Sequence, residues 1–167
     1  MARITLIRHG KTEIHTVDKE DFNRSLTLRG QQNSSTVGLF LRQHKMLPQV
    51  VLVSPAARTR ETYEHMQVYF PDDIKVKFCD QLYEASANTL FQTIVDNCSD
   101  VSNVAIIGHN PSLVVLLNHM VGDSCSEQNL RYFPTCCFAD IGFEAPFIGG
   151  INADSGKLLS IKRVREI

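Results

Sequence analysis

Apolar residues along this chain come in short bursts of two kinds. Ala2–Ile7, Val50–Val53 and Val104–Ile107 are compact runs with little alternation, the pattern of strands buried on both faces of a parallel sheet. Between them lie longer stretches with helical spacing. In the segment from about Leu26 to His44, Gly30, Ser34, Val37, Gly38 and Leu41 recur every three or four positions, which predicts a helix with a small-residue face. The polar run from Asn33 to Thr36 reads as a solvated side of that helix. Residues 54–70 and 86–97 read as further helices, with Tyr63, Met66 and Phe70 inward on the first and Leu90, Phe91, Ile94 and Val95 inward on the second. Ile74, Val76 and Phe78 alternate as a strand. A helix opens at Asn110-Pro111 and runs to about Val121. In the tail, residues 136–143 alternate as a strand, and Leu158–Val164 reads as a last strand at an edge. Residues 11–24 have no period and read as a loop.

Strands alternating with helices predict an α/β protein, a three-layer α/β/α sandwich on a mainly parallel sheet. With 167 residues and no repeat or linker, the chain reads as a single domain spanning 1–167. The Ser54-Pro55 and Asn110-Pro111 pairs suggest N-caps followed by a proline in the first helical turn.

Polar residues cluster just beyond the buried strands. Arg8-His9-Gly10 follows the first, Ser54 and Arg58 the second, and His109-Asn110 the third. In an open parallel sheet those strand ends share one rim, where ligands bind. Two arginines, two histidines and two helix N-termini should therefore meet there, and all of them favour an anion with several oxygens. His9 is a candidate nucleophile, because a neutral imidazole attacks phosphorus near pH 7. Arg8, Arg58 and His109 would hold the phosphate. Gly10 would let the backbone turn tightly and approach it, and Asn110 would cap its helix and fix His109. No aspartate cluster calls for a metal, and no cofactor is implied.

Charge narrows the choice of partner. Seventeen basic residues against eighteen acidic ones leave −1, so no global field recruits nucleic acid or a membrane. The N-terminus does not read as a signal peptide, and no run approaches a membrane span. The five cysteines fit no zinc spacing and read as reduced thiols, which suggests the cytoplasm.

Leu6-Ile7-Arg8-His9-Gly10, Val53-Ser54-Pro55-Ala56-Ala57-Arg58-Thr59-Arg60-Glu61-Thr62 and Ile107-Gly108-His109-Asn110-Pro111 together resemble the histidine phosphatase (phosphoglycerate-mutase-like) superfamily. Asp21-Phe22-Asn23-Arg24-Ser25-Leu26-Thr27 and Phe133-Pro134-Thr135 are similar to motifs of its small SixA-like branch of phosphohistidine phosphatases. Ser25 stands where that branch usually has proline. The resemblance implies a phosphohistidine intermediate on His9, a phosphate pocket of Arg8, Arg58 and His109, and Arg24 at its edge. It implies either a phosphohistidine protein or a small phosphorylated molecule as substrate. Larger members carry an acidic residue on an inserted segment, for which this chain has little room. Glu84, in a loop before a helix, and Asp21 are the candidate general acids. Two other functions fit the same pocket: a phosphomutase, which needs a lid to retain its intermediate, and a non-catalytic phosphoprotein-binding module, which has no need of a nucleophile.

Overall fold

The computed structural model describes residues 1–18, 20–122 and 133–167. One six-stranded sheet forms its centre: β1 (Ala2–Arg8), β2 (Val50–Val53), β3 (Lys75–Phe78), β4 (Asn103–Gly108), β5 (Phe138–Phe143) and β6 (Lys157–Lys162), in the order β3-β2-β4-β1-β5-β6. The first four in that order are mutually parallel. β5 runs antiparallel to both β1 and β6. The sheet is thus mainly parallel, with an antiparallel flank.

Four helices cover it among the described residues: α1 (Leu28–Gln43), α2 (Ala57–Gln67), α3 (Ala87–Cys98) and α4 (Ser112–Val121). The strands divide their side chains strictly by parity. Ile4, Leu6, Val50, Leu52, Val104 and Ile106 join a core with Leu90 and Ile94 of α3 and Leu113, Leu116 and Leu117 of α4. Ile7, Val51, Val53, Ala105 and Ile107 pack on the opposite face with Val37 and Leu41 of α1 and Tyr63 and Met66 of α2. A period of two in the strands therefore sorts the helices into two layers, and the three-layer expectation holds. The outer strands β3 and β6 carry Lys75, Lys77, Lys157 and Lys162, the charged side chains that keep sheet edges from pairing with other chains.

The buried residues of α1 are Gly30, Ser34, Val37, Gly38 and Leu41, the predicted small-residue face. Ser34 therefore does not belong to a solvated face. It is fully buried, donates to the Gly30 carbonyl at 2.7 Å and lies 3.6 Å from the Cys136 sulfur. Its hydroxyl is satisfied within its own helix, so burying it leaves no orphan donor.

Helix starts differ from expectation at two places. Ser54 and Asn110 do not cap. α2 begins at Ala57 with Ala56 as its N-cap, and α4 begins at Ser112 with Pro111 as its N-cap. The side chains that sequence preference assigned to helix ends are used in the site instead. Side-chain caps do occur at Thr27, which accepts from the Gly30 N–H, and at Ser86, which accepts from the Thr89 N–H.

The close approach of α1 to the loop after β1 depends on two glycines. A Cβ on Gly30 would lie 2.2 Å from the Lys11 carbonyl oxygen, and one on Gly10 would lie 2.9 Å from the Gly30 carbonyl oxygen. Gly10 is thus required by its packing against α1. Gly30→Ala should destabilise the fold by about 1–3 kcal/mol, as overpacking does. Urea denaturation measures this, and an unchanged midpoint would show that the loop can yield.

Candidate active site

The carboxyl ends of β1, β2 and β4 lie side by side in the sheet, and the expected residues meet there. His9 follows β1 directly, and its N–H donates to the Gly108 carbonyl at 3.1 Å. The ring is 8% exposed. Its Nδ1 lies 2.8 Å from the Gly10 carbonyl oxygen. A carbonyl only accepts, so Nδ1 carries the proton and Nε2 keeps its lone pair. Gly10 is held in turn: its N–H donates to Thr62 Oγ1 at 2.9 Å, and that hydroxyl donates to the Arg58 carbonyl at 2.6 Å.

The first turn of α2 presents Arg58, 5% exposed. The turn leading into α2 is fixed by Thr59, whose hydroxyl lies 2.7 Å from the Ser54 carbonyl oxygen, and by Arg60, which donates to the Pro55 carbonyl. Each nitrogen of the Arg58 guanidinium has a partner. Nε donates to His109 Nδ1 at 3.2 Å, and the two terminal nitrogens donate to the Asp21 carbonyl at 2.7 Å and to Asp21 Oδ2 at 3.0 Å. His109 Nδ1 is therefore an acceptor, so its proton sits on Nε2 and is donated to Ser54 Oγ at 2.7 Å. The His9 and His109 rings face each other with centroids 5.3 Å apart.

Asp21 joins the two sides of the loop. Its Oδ1 accepts from Arg24 Nε at 2.9 Å, and Arg24 reaches on to Thr12 Oγ1 at 3.1 Å. Tyr83 donates to Asp21 Oδ2 at 3.2 Å, lies edge-on to His109, and has the Arg58 guanidinium 5.9 Å from its ring centre. On the far side, Arg8 donates to the Phe133 carbonyl at 2.9 Å, and Asn110 Nδ2 donates to the same oxygen at 2.9 Å. Arg8 Nε and Asn110 Oδ1 are buried without a partner among the described residues. An unpaired guanidinium N–H beside a nucleophilic imidazole is a place for an anionic oxygen.

Burial and nearby cations act together on the imidazoles. Burial pushes His9 down to about 4; the Gly10 carbonyl opposes this, and Arg58, Arg8 and Arg24 add to it. Burial, then Arg58 and His9, push His109 down to about 3. Both rings are neutral at pH 7. Partial burial would raise the Asp21 carboxyl, but Arg58, Arg24 and the bonds from Arg24 and Tyr83 outweigh it and hold Asp21 below its ordinary range. A carboxylate kept ionised is a poor proton donor, which counts against Asp21 as a general acid. Glu84 is exposed, has a left-handed backbone (φ 51°), and lines a cavity of about 230 Å³ with Asp21, Arg58, Tyr83, His109 and Ser112. Thiols do not compete as nucleophiles. Burial pushes Cys136 up to about 11 and Cys137 up to about 12, and Cys125 lies outside the described residues.

The expected set of Arg8, His9, Arg58 and His109 thus converges. Asp21 and Arg24 pair with each other, and Asp21 also reaches Arg58. Thr62, Tyr83 and the Phe133 carbonyl are additions. Ser54, placed at the rim by the sequence but read chiefly as a cap, instead accepts from His109, and Tyr83 shows no signal beyond its place beside Glu84.

The sequence profile of the histidine phosphatase superfamily (branch 1) matches residues 4–90, which hold His9 and Arg58. The chain belongs to that superfamily. An uncharacterized chloroplastic protein of Arabidopsis thaliana is 30% identical over 117 residues, 65% of this chain and 54% of that protein, so this chain spans about half the length of that relative. Among solved structures, one described as a phosphohistidine phosphatase SixA of Agrobacterium tumefaciens superposes with a TM-score of 0.82 at 25% identity, covering 97% of both chains. A protein histidine phosphatase SixA complexed with tungstate gives 0.80 at 18% identity, covering 98% of this chain and 97% of that one, a likeness of fold. Within the superfamily its fold is SixA-like.

Both lowered imidazoles make a measurable prediction. In the free histidine phosphatase chain the His9 and His109 ring resonances should titrate near pH 4 and 3 by NMR; a midpoint near 6.5 would show solvated rings. The linkage has a definite sign. The unfolded chain binds these protons near pH 6.5 and the folded chain does not until about 4 and 3. Stability should therefore fall as pH drops from about 6.5 towards 3, and denaturant midpoints across that window read it.

Proposed function

We propose that this chain is a metal-independent phosphatase that passes a phosphoryl group through His9, and that its substrate is a phosphorylated side chain of a protein, with phosphohistidine as the leading candidate. The observation that carries the reading is the fixed tautomer of His9: the Gly10 carbonyl accepts a hydrogen bond from Nδ1–H, which holds the proton there and leaves the Nε2 lone pair free. Low basicity ensures that this lone pair is unprotonated at neutral pH.

Nε2 attacks phosphorus. The new N–P bond forms as the bond to the leaving oxygen or nitrogen breaks, and the leaving group takes that electron pair and a proton. Water then attacks the phosphohistidine, releases inorganic phosphate and returns His9. Little covalent help is needed beyond the nucleophile, so the barrier is lowered mainly by charges aimed at the phosphoryl oxygens. Arg8, with its unpaired Nε–H, and Arg58, whose terminal nitrogens each retain a second N–H beyond the bond to Asp21, supply them. Guanidinium groups do here what a metal does in other phosphatases. Among the described residues no three His, Cys, Asp or Glu side chains are grouped to hold one.

Two features favour a protein substrate. The cavity of about 230 Å³ beside His109 is smaller than the roughly 300–1,000 Å³ of most small-molecule pockets and suits one side chain. A phosphoramidate nitrogen is also readily protonated as it leaves, so it depends less on a general acid. Glu84, on the rim of that cavity, would serve when the leaving group is poor. A cytoplasmic setting fits the four buried, unpaired thiols at Cys79, Cys98, Cys136 and Cys137, and no described helix is long and apolar enough to cross a membrane.

His9→Ala should abolish release of phosphate from both a phosphohistidine protein and a small phosphoester, and chelators should leave the wild-type rate unchanged. Turnover that survives the substitution would exclude the mechanism. Dependence on a bisphosphate primer would point to a mutase, and tight phosphoprotein binding without turnover to a binding module. Glu84→Gln should slow a poor oxygen leaving group by about 10²–10⁴ while sparing a phosphoramidate. An equal loss on both substrates would remove Glu84 from the role of acid.

A further inference from the structure

Two residues beyond His9, Lys11 lines a separate cavity of about 280 Å³, with Arg29, Asn33, Thr135, Arg163 and Arg165 also in its walls. Lys11 and Arg29 are exposed, and neither is paired with a carboxylate among the described residues. Arg163 has Glu166 as a partner at 2.9 Å, outside the lining. Every charged residue in the described lining is thus a cation, in a chain whose net charge is −1. Lys11 and Arg29 give this cleft a local positive charge.

The cleft is built onto the backbone of the phosphate site. Lys11 is two residues from His9, so their Cα atoms are at most about 7 Å apart. The Lys11 carbonyl accepts from the Thr27 N–H at 2.8 Å and is overlain by Gly30, which ties it to the start of α1 where Arg29 sits. Thr135, on the other wall, is two residues beyond the Phe133 carbonyl that receives Arg8. No aromatic side chain lies in the described lining to stack a base, which favours a carboxylate-bearing peptide over single-stranded nucleic acid.

We propose that this cleft docks an acidic segment of the protein substrate, a few residues from the phosphorylated side chain, and so selects phosphoproteins by the charge that flanks the phosphate. The proposal rests on the phosphatase reading above. It is tested with two peptides sharing one phosphohistidine, one followed by three aspartates and the other by three asparagines, beside p-nitrophenyl phosphate. Wild-type enzyme should prefer the aspartate peptide by about tenfold in kcat/KM, mostly through KM, with the preference shrinking as salt rises. Arg29→Glu should erase the preference and leave p-nitrophenyl phosphate turnover unchanged; Arg29→Lys should keep the preference. A glutamate in the first turn of α1 suits the helix dipole, so the variant should fold. Equal kcat/KM on the two peptides, or a preference that survives Arg29→Glu, overturns the proposal. So does stronger competition from oligo-dT than from an aspartate peptide. If neither phosphopeptide nor the ester is turned over, the phosphatase reading fails instead. Docking is then read from binding of the unphosphorylated aspartate peptide by anisotropy, expected in wild type and lost in Arg29→Glu.

Discussion

A guanidinium group that is almost wholly buried must be given a countercharge and acceptors, or the fold cannot keep it. Arg58 is that group, and Asp21 meets the demand with a carbonyl and a carboxylate oxygen. Much of the site follows from this pairing. Asp21 opens a single 3₁₀ turn (Asp21–Asn23) with no buried residue of its own, so Arg24 and Tyr83 steady it. Arg58 in turn donates to His109 and thereby decides which of that ring's nitrogens carries the proton.

The same positive charge that awaits an anion also keeps the imidazoles neutral. Arg58 and Arg8 discourage protonation of both His9 and His109, on top of the cost of burial. A nucleophile and an electrophilic cage often work against each other, since a cationic surrounding makes a base weaker. Under the proposed mechanism the weaker base is an advantage, because a nucleophilic His9 needs a free lone pair and not a high proton affinity. The oxygens of a phosphoryl group would satisfy the arginines at the moment the nitrogen attacks.

The sheet and the meeting of Arg8, His9, Arg58 and His109 were legible because both rest on local pattern: continuous apolar runs for buried strands, and polar residues placed just past them. The buried face of α1 was legible too, since small residues at helical spacing mark a side against which another backbone packs closely. What failed was the reading of Ser54 and Asn110 as caps. Propensity knows only the backbone nearby, whereas Ser54 is claimed by His109, 55 residues away, and Asn110 by a carbonyl 23 residues on. The polar run in α1 misled at Ser34 for a related reason, since a hydroxyl that bonds its own helix can be buried cheaply. The packing that demands glycine at position 10, against the Gly30 carbonyl in α1, is one that no short stretch of sequence reveals.

Arg8 and Asn110 both lean on the carbonyl of Phe133, and that acceptor is main chain. Its presence does not depend on which side chain stands at 133, only on the path of the backbone into β5. The antiparallel flank of the sheet holds that path through the pairing of β1 with β5 and through the Cys136 N–H on the carbonyls of Arg8 and His9. One end of the phosphate site is therefore written in topology and not in residue identity. A substitution at 133 therefore leaves the arginine its anchor, whereas at the other end Arg58 relies on the Asp21 carboxylate as well as on the Asp21 carbonyl, and only the carbonyl survives a change of residue.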